Sequence, residues 1–317
     1  MKLKLVKIVL AAAAILVLIR PALADDAIRQ KVDSLFIIAT SGELKYRDLV
    51  GPAEDSIAAN GRAAIPILID KLGTPDARER VGLENIFKKI GKTAVPYLND
   101  ALLTTDSLQL SRVALMLNFL ADESSIDNLL KITTRPFYWV RYEAIRTLGQ
   151  IGNNKAIAAV RTALQDSNEV VRTVAAVAAG KIKDQFLVPS LMVALTDRYY
   201  GVRLSAIEAL KKFDCQNLSS NVAYFEIYAD TSALAYKALF SVFDGLNCDL
   251  DIELFMRYFD NPDPELRALA LRAAYGSEPY YVRAYLEKAA IKTDNQFLKQ
   301  TIEELMKPDE TPPPAKH

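Results

Sequence analysis

The sequence predicts an all-α solenoid of about seven to eight helix pairs stacked in series. Three observations predict it. One short pattern is written three times at a spacing of thirty-one residues: WVRYEAIRTLGQIG, EVVRTVAAVAAGKIK and YGVRLSAIEALKKFD align Val140, Val171 and Val202, then Arg141, Arg172 and Arg203, then Ala144, Ala175 and Ala206, then Ile151, Ile182 and Phe213. A second apolar series keeps the same spacing over a longer span, with Val95, Ile126, Ile157 and Val188 in one column and Leu98, Leu129, Val160 and Leu191 in another. Ile65 and Leu68 extend both columns upstream. Within a unit, Val140, Ala144, Leu148 and Ile151 fall at helical spacing. A Gly-containing break at 149–154 follows, and then a second helical series of Ile157, Val160 and Leu164. A period in this range marks supersecondary units that bury their apolar faces against neighbouring units, not a single centre.

The elements follow in chain order. Residues 1–24 have a basic start (Lys2, Lys4, Lys7), an apolar run from Ile8 to Ile19, and Ala22-Leu23-Ala24 before Asp25. That is the pattern of a cleaved secretory signal peptide, and the run is short for a membrane span, which needs about 20 residues. An uncleaved N-terminal anchor is the alternative. No cysteine follows the cleavage site, which speaks against a lipid anchor. Residues 25–60 read as capping helices, with Ile28, Val32, Leu35 and Phe36 on one face of a helix over 27–39. Residues 61–306 read as one repeat array. Pro66, Pro96 and Pro189 fall in the opening turn of second helices, where a missing N–H costs little. Further first helices are expected over 230–243 and 260–275, and a last one over 296–306. The stretch 307–317 (KPDETPPPAKH) is Pro-rich and polar and reads as a disordered tail.

A charged column accompanies the apolar ones. Asp106/Arg112, Asp166/Arg172 and Asp197/Arg203 each place Asp six residues before Arg. Such an Asp can cap the next helix and accept from the Arg of its own or a neighbouring unit, which makes a ladder of charge-assisted hydrogen bonds along the stack. The V-R-x-x-A pattern, the Asp six before Arg, the Gly at the inter-helix turn and the V/I-P opening of the second helix together resemble the HEAT-repeat family. The thirty-one-residue length is similar to its short bacterial subclass related to phycobilisome-lyase-type repeats. The resemblance covers roughly residues 47–290. It implies a curved right-handed superhelix whose second helices line a concave surface, and a binding scaffold in preference to an enzyme. Two departures stand out. Tyr236 occupies the arginine position after Asp230, and Asp127 replaces the proline of one second helix.

Charge and composition exclude several functions. The chain holds 39 basic and 39 acidic residues, and the first 24 include Lys2, Lys4, Lys7 and Arg20 and no acid. Without them the remainder has four more acidic than basic side chains. Basic groups such as Lys88-Lys89 and Lys211-Lys212 are pairs on helix faces, so nucleic acid is not an expected partner. The single histidine is His317, which leaves no member for a Ser/His/Asp or Cys/His nucleophile or a His-rich zinc site. Asp122/Glu123 and Asp249/Asp251 supply neighbouring carboxylates, as glycoside hydrolysis needs, but each pair stands at a helix start, where capping explains it. No catalytic residue, cofactor or metal is expected. Cys215 and Cys248 lie thirty-three apart at equivalent positions after successive first helices. In an oxidising compartment they would pair, yet stacked helices sit about 10 Å apart and a disulfide wants Cα atoms within about 7 Å. A disulfide and two free thiols therefore both stay open.

The remaining pointer is aromatic. Phe137-Tyr138-Trp139 and Tyr199-Tyr200 both stand immediately before a Val-Arg pair, whereas the intervening linker is the polar Ser167-Asn168-Glu169. Aromatic residues on such a ridge anchor a polypeptide or stack on a sugar ring when exposed, and fold over the core when not. Tyr224, Phe225 and Tyr228, and then Tyr280, Tyr281 and Tyr285, fall on second helices, where both outcomes are again open. The expected function is a non-enzymatic scaffold exported to the periplasm or beyond, holding a protein partner whose identity the sequence leaves unknown. No membrane span is expected once the signal is removed, and oligomeric state is left unspecified. A carbohydrate- or peptidoglycan-binding module is the alternative reading, and a lyase-type enzyme follows only from the family resemblance.

Overall fold

The computed structural model describes residues 26–307 apart from 104, 105, 121, 230, 231, 249, 290 and 292. The expected signal segment 1–24, the stretch beyond Lys307 expected to be a tail, and the acids Asp230 and Asp249 lie outside the described residues. Where the sequence reads as one array over 61–306, the chain divides into two compact units, Met1–Ile151 and Gly152–His317. Among the described residues every regular element is helical.

The first unit opens with α1 (26–40), which buries Val32, Phe36 and Ala39. It is followed by α2 (Val50–Ala58), α3 (Ile65–Asp70), α4 (Ala77–Ile90), α5 (Val95–Ala101), α6 (Ser107–Leu120), α7 (Ile126–Ile132) and α8 (Tyr138–Ile151). From α4 onward the pattern is regular. A 14-residue first helix alternates with a second helix of 7 residues in α5 and α7. The predicted columns are the core: Val95, Leu98, Ile126, Leu129, Val140, Ala144 and Leu148 are buried. One polar side chain is enclosed with them, Thr147, whose hydroxyl donates to the Ala114 carbonyl at 2.9 Å across α6 and α8. The break expected over 149–154 is narrower than predicted. Helix α8 runs through Gly149 to Ile151, and the chain reverses at Gly152, whose φ of 75° suits a residue without a Cβ.

The second unit holds α9 (Ile157–Ala163), α10 (Glu169–Ile182), α11 (Val188–Ala194), α12 (Tyr200–Leu210), α13 (Cys215–Ser219), α14 (Val222–Ala229), α15 (Ala233–Phe243), α16 (Glu253–Met256), α17 (Pro264–Ser277), α18 (Pro279–Ala289) and α19 (Gln296–Leu305). Its first half has a small-residue core. A Cβ on Gly180 of α10 would lie 2.9 Å from both Cα and Cβ of Ala209 in α12, so Ala175, Ala176, Ala179, Ala206 and Ala209 let these helices approach closely. Beyond Asp214 two helices are short, 5 residues in α13 and 4 in α16, and aromatic rings pack in the core. Tyr236, the departure from the arginine column, is 6% exposed. It packs edge-on against Phe225 at 5.3 Å and against Tyr258 at 4.8 Å. Burial, helped by a hydrogen bond with Tyr236, pushes the Tyr258 hydroxyl's pKa well above the ordinary tyrosine value, so Tyr258 is neutral at any physiological pH.

A further column emerges that the apolar pattern conceals. Asp122, Asn153 and Asp184 are spaced by thirty-one, and each side chain accepts from the amide two residues on, at Ser124, Lys155 and Phe186. Each starts a 3₁₀ turn of three residues that delivers the chain to Ile126, Ile157 or Val188 at the head of a second helix. Short polar side chains bonding to the local backbone are what turns the chain here. Asp122 is held below the usual carboxylate range, first by its hydrogen bonds with Ser124 and less by Lys92, which marks it as a cap and not as a proton donor.

Candidate functional site

The arginine column is where prediction and geometry diverge. Arg172 does form a carboxylate rung: Nε donates to Asp197 Oδ2 at 2.6 Å and Nη2 to Oδ1 at 3.1 Å. Its Nη1 donates to the Asp166 carbonyl at 2.7 Å. Arg203, by contrast, donates to the backbone carbonyls of Asp197 at 2.7 Å and Arg198 at 3.1 Å, and Arg141 donates to those of Arg135 and Pro136. Each predicted acid also caps its own loop. Asp106 Oδ1 accepts from Leu108 N, Asp166 Oδ1 from Asn168 N, and Asp197 Oδ1 from Tyr199 N. The repeated bond is thus arginine to the carbonyl six residues earlier, made by Arg141, Arg172 and Arg203, and Arg172 adds a carboxylate rung to Asp197.

Arg112 departs further. It sits in the same column, yet among the described residues it makes no hydrogen bond or ion pair. Burial, with Arg80 nearby, lowers its proton affinity. Instead it lines a cavity of about 300 Å³ between α6 and α8, together with Leu108, Leu115, Trp139, Tyr142 and Glu143. Burial pushes the Glu143 carboxyl up, against the pull of Arg146 at 3.4 Å.

The predicted aromatic residues are exposed, at 44% for Phe137, 41% for Tyr138, 38% for Trp139, 37% for Tyr199 and 68% for Tyr200. In the first unit the structure gathers three of them. Phe137 stacks on Trp139 with ring centres 4.8 Å apart, and Tyr138 meets Trp139 edge-on at 5.3 Å. In the second unit Tyr199 lies against the guanidinium groups of Arg198 and Arg172, at 4.8 and 5.4 Å. Tyr200 flanks Arg203 at 5.8 Å. Tyr200 also borders a hollow of about 430 Å³ with Leu204, Ile207, Leu234, Ala238 and Leu269. Of the second-helix rings, Phe225 is core while Tyr224 and Tyr228 are exposed, and Tyr280 and Tyr281 are exposed while Tyr285 bonds Asp260 at 2.7 Å.

Trp139, Arg112 and Glu143 meeting in one cavity was not legible in the sequence. Tyr142 and Glu143 follow Trp139 by three and four residues, so helical spacing could have placed them on its face. Nothing distinguishes Leu108 and Leu115 from core leucines until burial is known.

Cys215 and Cys248 form a disulfide with Cα atoms 5.2 Å apart. Stacked helix axes are more widely spaced, but Cys215 opens the short helix α13 just beyond α12 and Cys248 stands in the connection after α15, so both lie off the long stacked helices. Among the described residues no group of three or more His, Cys, Asp or Glu is placed to hold a metal ion. None of the described helices is long and apolar enough to cross a membrane.

The HEAT repeats family matches residues 126–211. No curated protein matches the chain in sequence. Among solved structures, the chain is similar to an engineered protein, at 17% identity and a TM-score of 0.45, with 89% of this chain and 94% of that one covered. It is also similar to human deoxyhypusine hydroxylase in complex with glycerol, at 16% identity and a TM-score of 0.34, with 79% of this chain and 96% of that one covered. The helix pairs between 126 and 211 match the HEAT-repeat model and belong to an all-α solenoid.

Proposed function

We propose that the protein is a non-enzymatic HEAT-repeat scaffold, exported to the bacterial cell envelope, that holds a protein partner, and that it belongs to the short thirty-one-residue subclass of the repeat. The observation behind this reading is the exposure of Phe137, Tyr138, Trp139 and Tyr200 at the starts of α8 and α12. Large rings left in water on a rigid helical frame are the kind of anchor that dominates interface energetics. HEAT repeats generally serve as protein-interaction scaffolds, which supports the same reading. Export rests on the basic and apolar segment 1–24 and on the Cys215–Cys248 disulfide, because such bonds persist in oxidising compartments. Nucleic acid is not a partner on this reading, given the acidic balance of residues 25–317.

A second reading has one observation in its favour. The stacked, exposed Phe137–Trp139 pair is a flat aromatic platform of the kind that packs on a sugar ring. One experiment separates the two. The protein is immobilised beside a variant in which Phe137, Tyr138, Trp139, Tyr199 and Tyr200 are changed to Ser, and both are exposed to an envelope extract and, separately, to isolated peptidoglycan. A defined protein retained by the parent alone supports the scaffold, with its interface on the aromatic residues. Retention by both moves the interface elsewhere. Retention of peptidoglycan and of no protein replaces the scaffold by the carbohydrate-binding module.

A further inference from the structure

Three parallel stripes run along the outside of the first unit. Helix α6 contributes Leu108, Arg112, Leu115 and Phe119 at helical spacing, and Arg112 is the only charged side chain on that helix. On one side α4 contributes Arg80, Glu84 and Lys88, and Lys88 Nζ lies 4.1 Å over the Phe119 ring. On the other, α8 contributes Trp139, Tyr142, Glu143 and Arg146. The centre is therefore an apolar strip carrying one guanidinium, with walls of mixed charge.

The carboxylates nearby are hydrogen-bonded or paired elsewhere. Glu143 is engaged by Arg146 at 3.4 Å, and Glu84 faces Lys88 at 3.9 Å. Arg80 donates to the Pro75 carbonyl at 2.6 Å, which satisfies a donor and leaves its charge. Arg112 feels the charges of Glu143 and Glu84 but makes no hydrogen bond among the described residues, although its column-mates Arg141, Arg172 and Arg203 all donate to backbone carbonyls. The cavity lining carries one guanidinium, Arg112, and one carboxylate, Glu143, which attract each other without a hydrogen bond, so the donors of Arg112 stay unfilled. A guanidinium has five N–H donors in a fixed fork, and a partly dehydrated one without acceptors favours a carboxylate that can meet it bidentately. The surrounding Leu108, Leu115, Trp139 and Tyr142 accept an aliphatic or aromatic side chain beside that carboxylate. A cavity of about 300 Å³ suits one such pair of side chains and no more.

We propose that the α6–α8 cavity is the docking point for an acidic side chain of the partner protein, flanked by an apolar residue, with Arg112 receiving the carboxylate and Trp139 covering the apolar neighbour. This rests on the protein-binding reading above and supplies the partner's chemistry.

The chain's sole tryptophan is Trp139, so its fluorescence reports on this cavity alone. The protein is titrated with the capped peptide acetyl-Gly-Leu-Glu-Leu-Gly-amide and with its Gln counterpart. The expected result is a saturable change in emission with the Glu peptide. Its dissociation constant rises at least about tenfold when the peptide carries Gln or the protein carries Arg112→Gln, in keeping with a charge-assisted bidentate pair. Arg112→Lys keeps the charge and loses the fork, and recovers only part of the affinity. Since Arg112 has no described bond to lose, far-UV circular dichroism of both variants matches the parent. Equal binding of the Glu and Gln peptides, equal binding by Arg112→Gln, or no emission change up to millimolar Glu peptide overturns the site. The envelope capture stands apart from this result: a partner retained by parent and Arg112→Gln alike sinks the cavity and spares the scaffold. Tighter binding of a peptide with a free C-terminal carboxylate and no Glu would assign Arg112 to a chain end and likewise overturn the acidic side chain.

Discussion

Asp197→Asn tests how the arginine column contributes to stability. The amide retains an oxygen to accept from Tyr199 N, now at 2.9 Å, so the local turn survives and only the charge facing Arg172 is lost. Breaking a fully buried ion pair by removing one partner costs about 3–5 kcal/mol. Here the side chains are 11% and 12% exposed, and Arg172 keeps the carbonyl of Asp166 at 2.7 Å. The expected cost is therefore about 2–3 kcal/mol. With a urea slope of about 2–3 kcal/mol/M, the unfolding midpoint falls by about 1 M. Arg203→Met loses only bonds to neutral carbonyls and should cost about 1 kcal/mol. A double-mutant cycle with Arg172→Met, read by circular dichroism, should return a coupling of at least about 1 kcal/mol with Asp197→Asn. A coupling near zero, or an Asp197→Asn protein as stable as the parent, would refute the claim that the Arg172 rung contributes more than the carbonyl bonds of Arg203.

Three other perturbations follow from the same geometry. Gly180→Ala gains about 1 kcal/mol of helix propensity, but its Cβ meets the Ala209 backbone at 2.9 Å. The clash wins, so thermal unfolding should show a net loss of about 1–2 kcal/mol. Lys183 ends α10 with φ 55°, at the position equivalent to Gly152, so Lys183→Gly should stabilise by about 1 kcal/mol in the same assay. Glu143 has its carboxyl pKa raised by burial above the ordinary 4.5. A raised acid pKa means the folded state binds its proton more tightly, so this residue's contribution is most favourable below about pH 4.5 and is lost as pH rises through the folded value. Glu143→Gln should therefore equal the parent in acid and exceed it at neutral pH, as urea midpoints taken at both would show.

What was legible in the sequence is what the repeat encodes locally. The columns of Val140, Ala144 and Leu148, and of Val95, Leu98 and their equivalents, predict which faces are buried, because helical spacing and a fixed period suffice to align stacked units. The opening-turn prolines were readable for the same reason, since Pro66, Pro96 and Pro189 act on their own helix. Choice of partner is a different kind of question. Arg112, Arg172 and Arg203 look alike in the chain, yet one meets a carboxylate 25 residues away, one meets carbonyls, and one faces a cavity beside Trp139. Which acceptor a long side chain reaches depends on the path of the linker and the spacing of neighbouring helices, and no period records either. The cysteine pair was undecided for the same reason, until the segments after α12 and α15 brought the two Cα atoms to 5.2 Å. Periodicity determines which residues are buried; three-dimensional proximity alone decides which polar group each one meets.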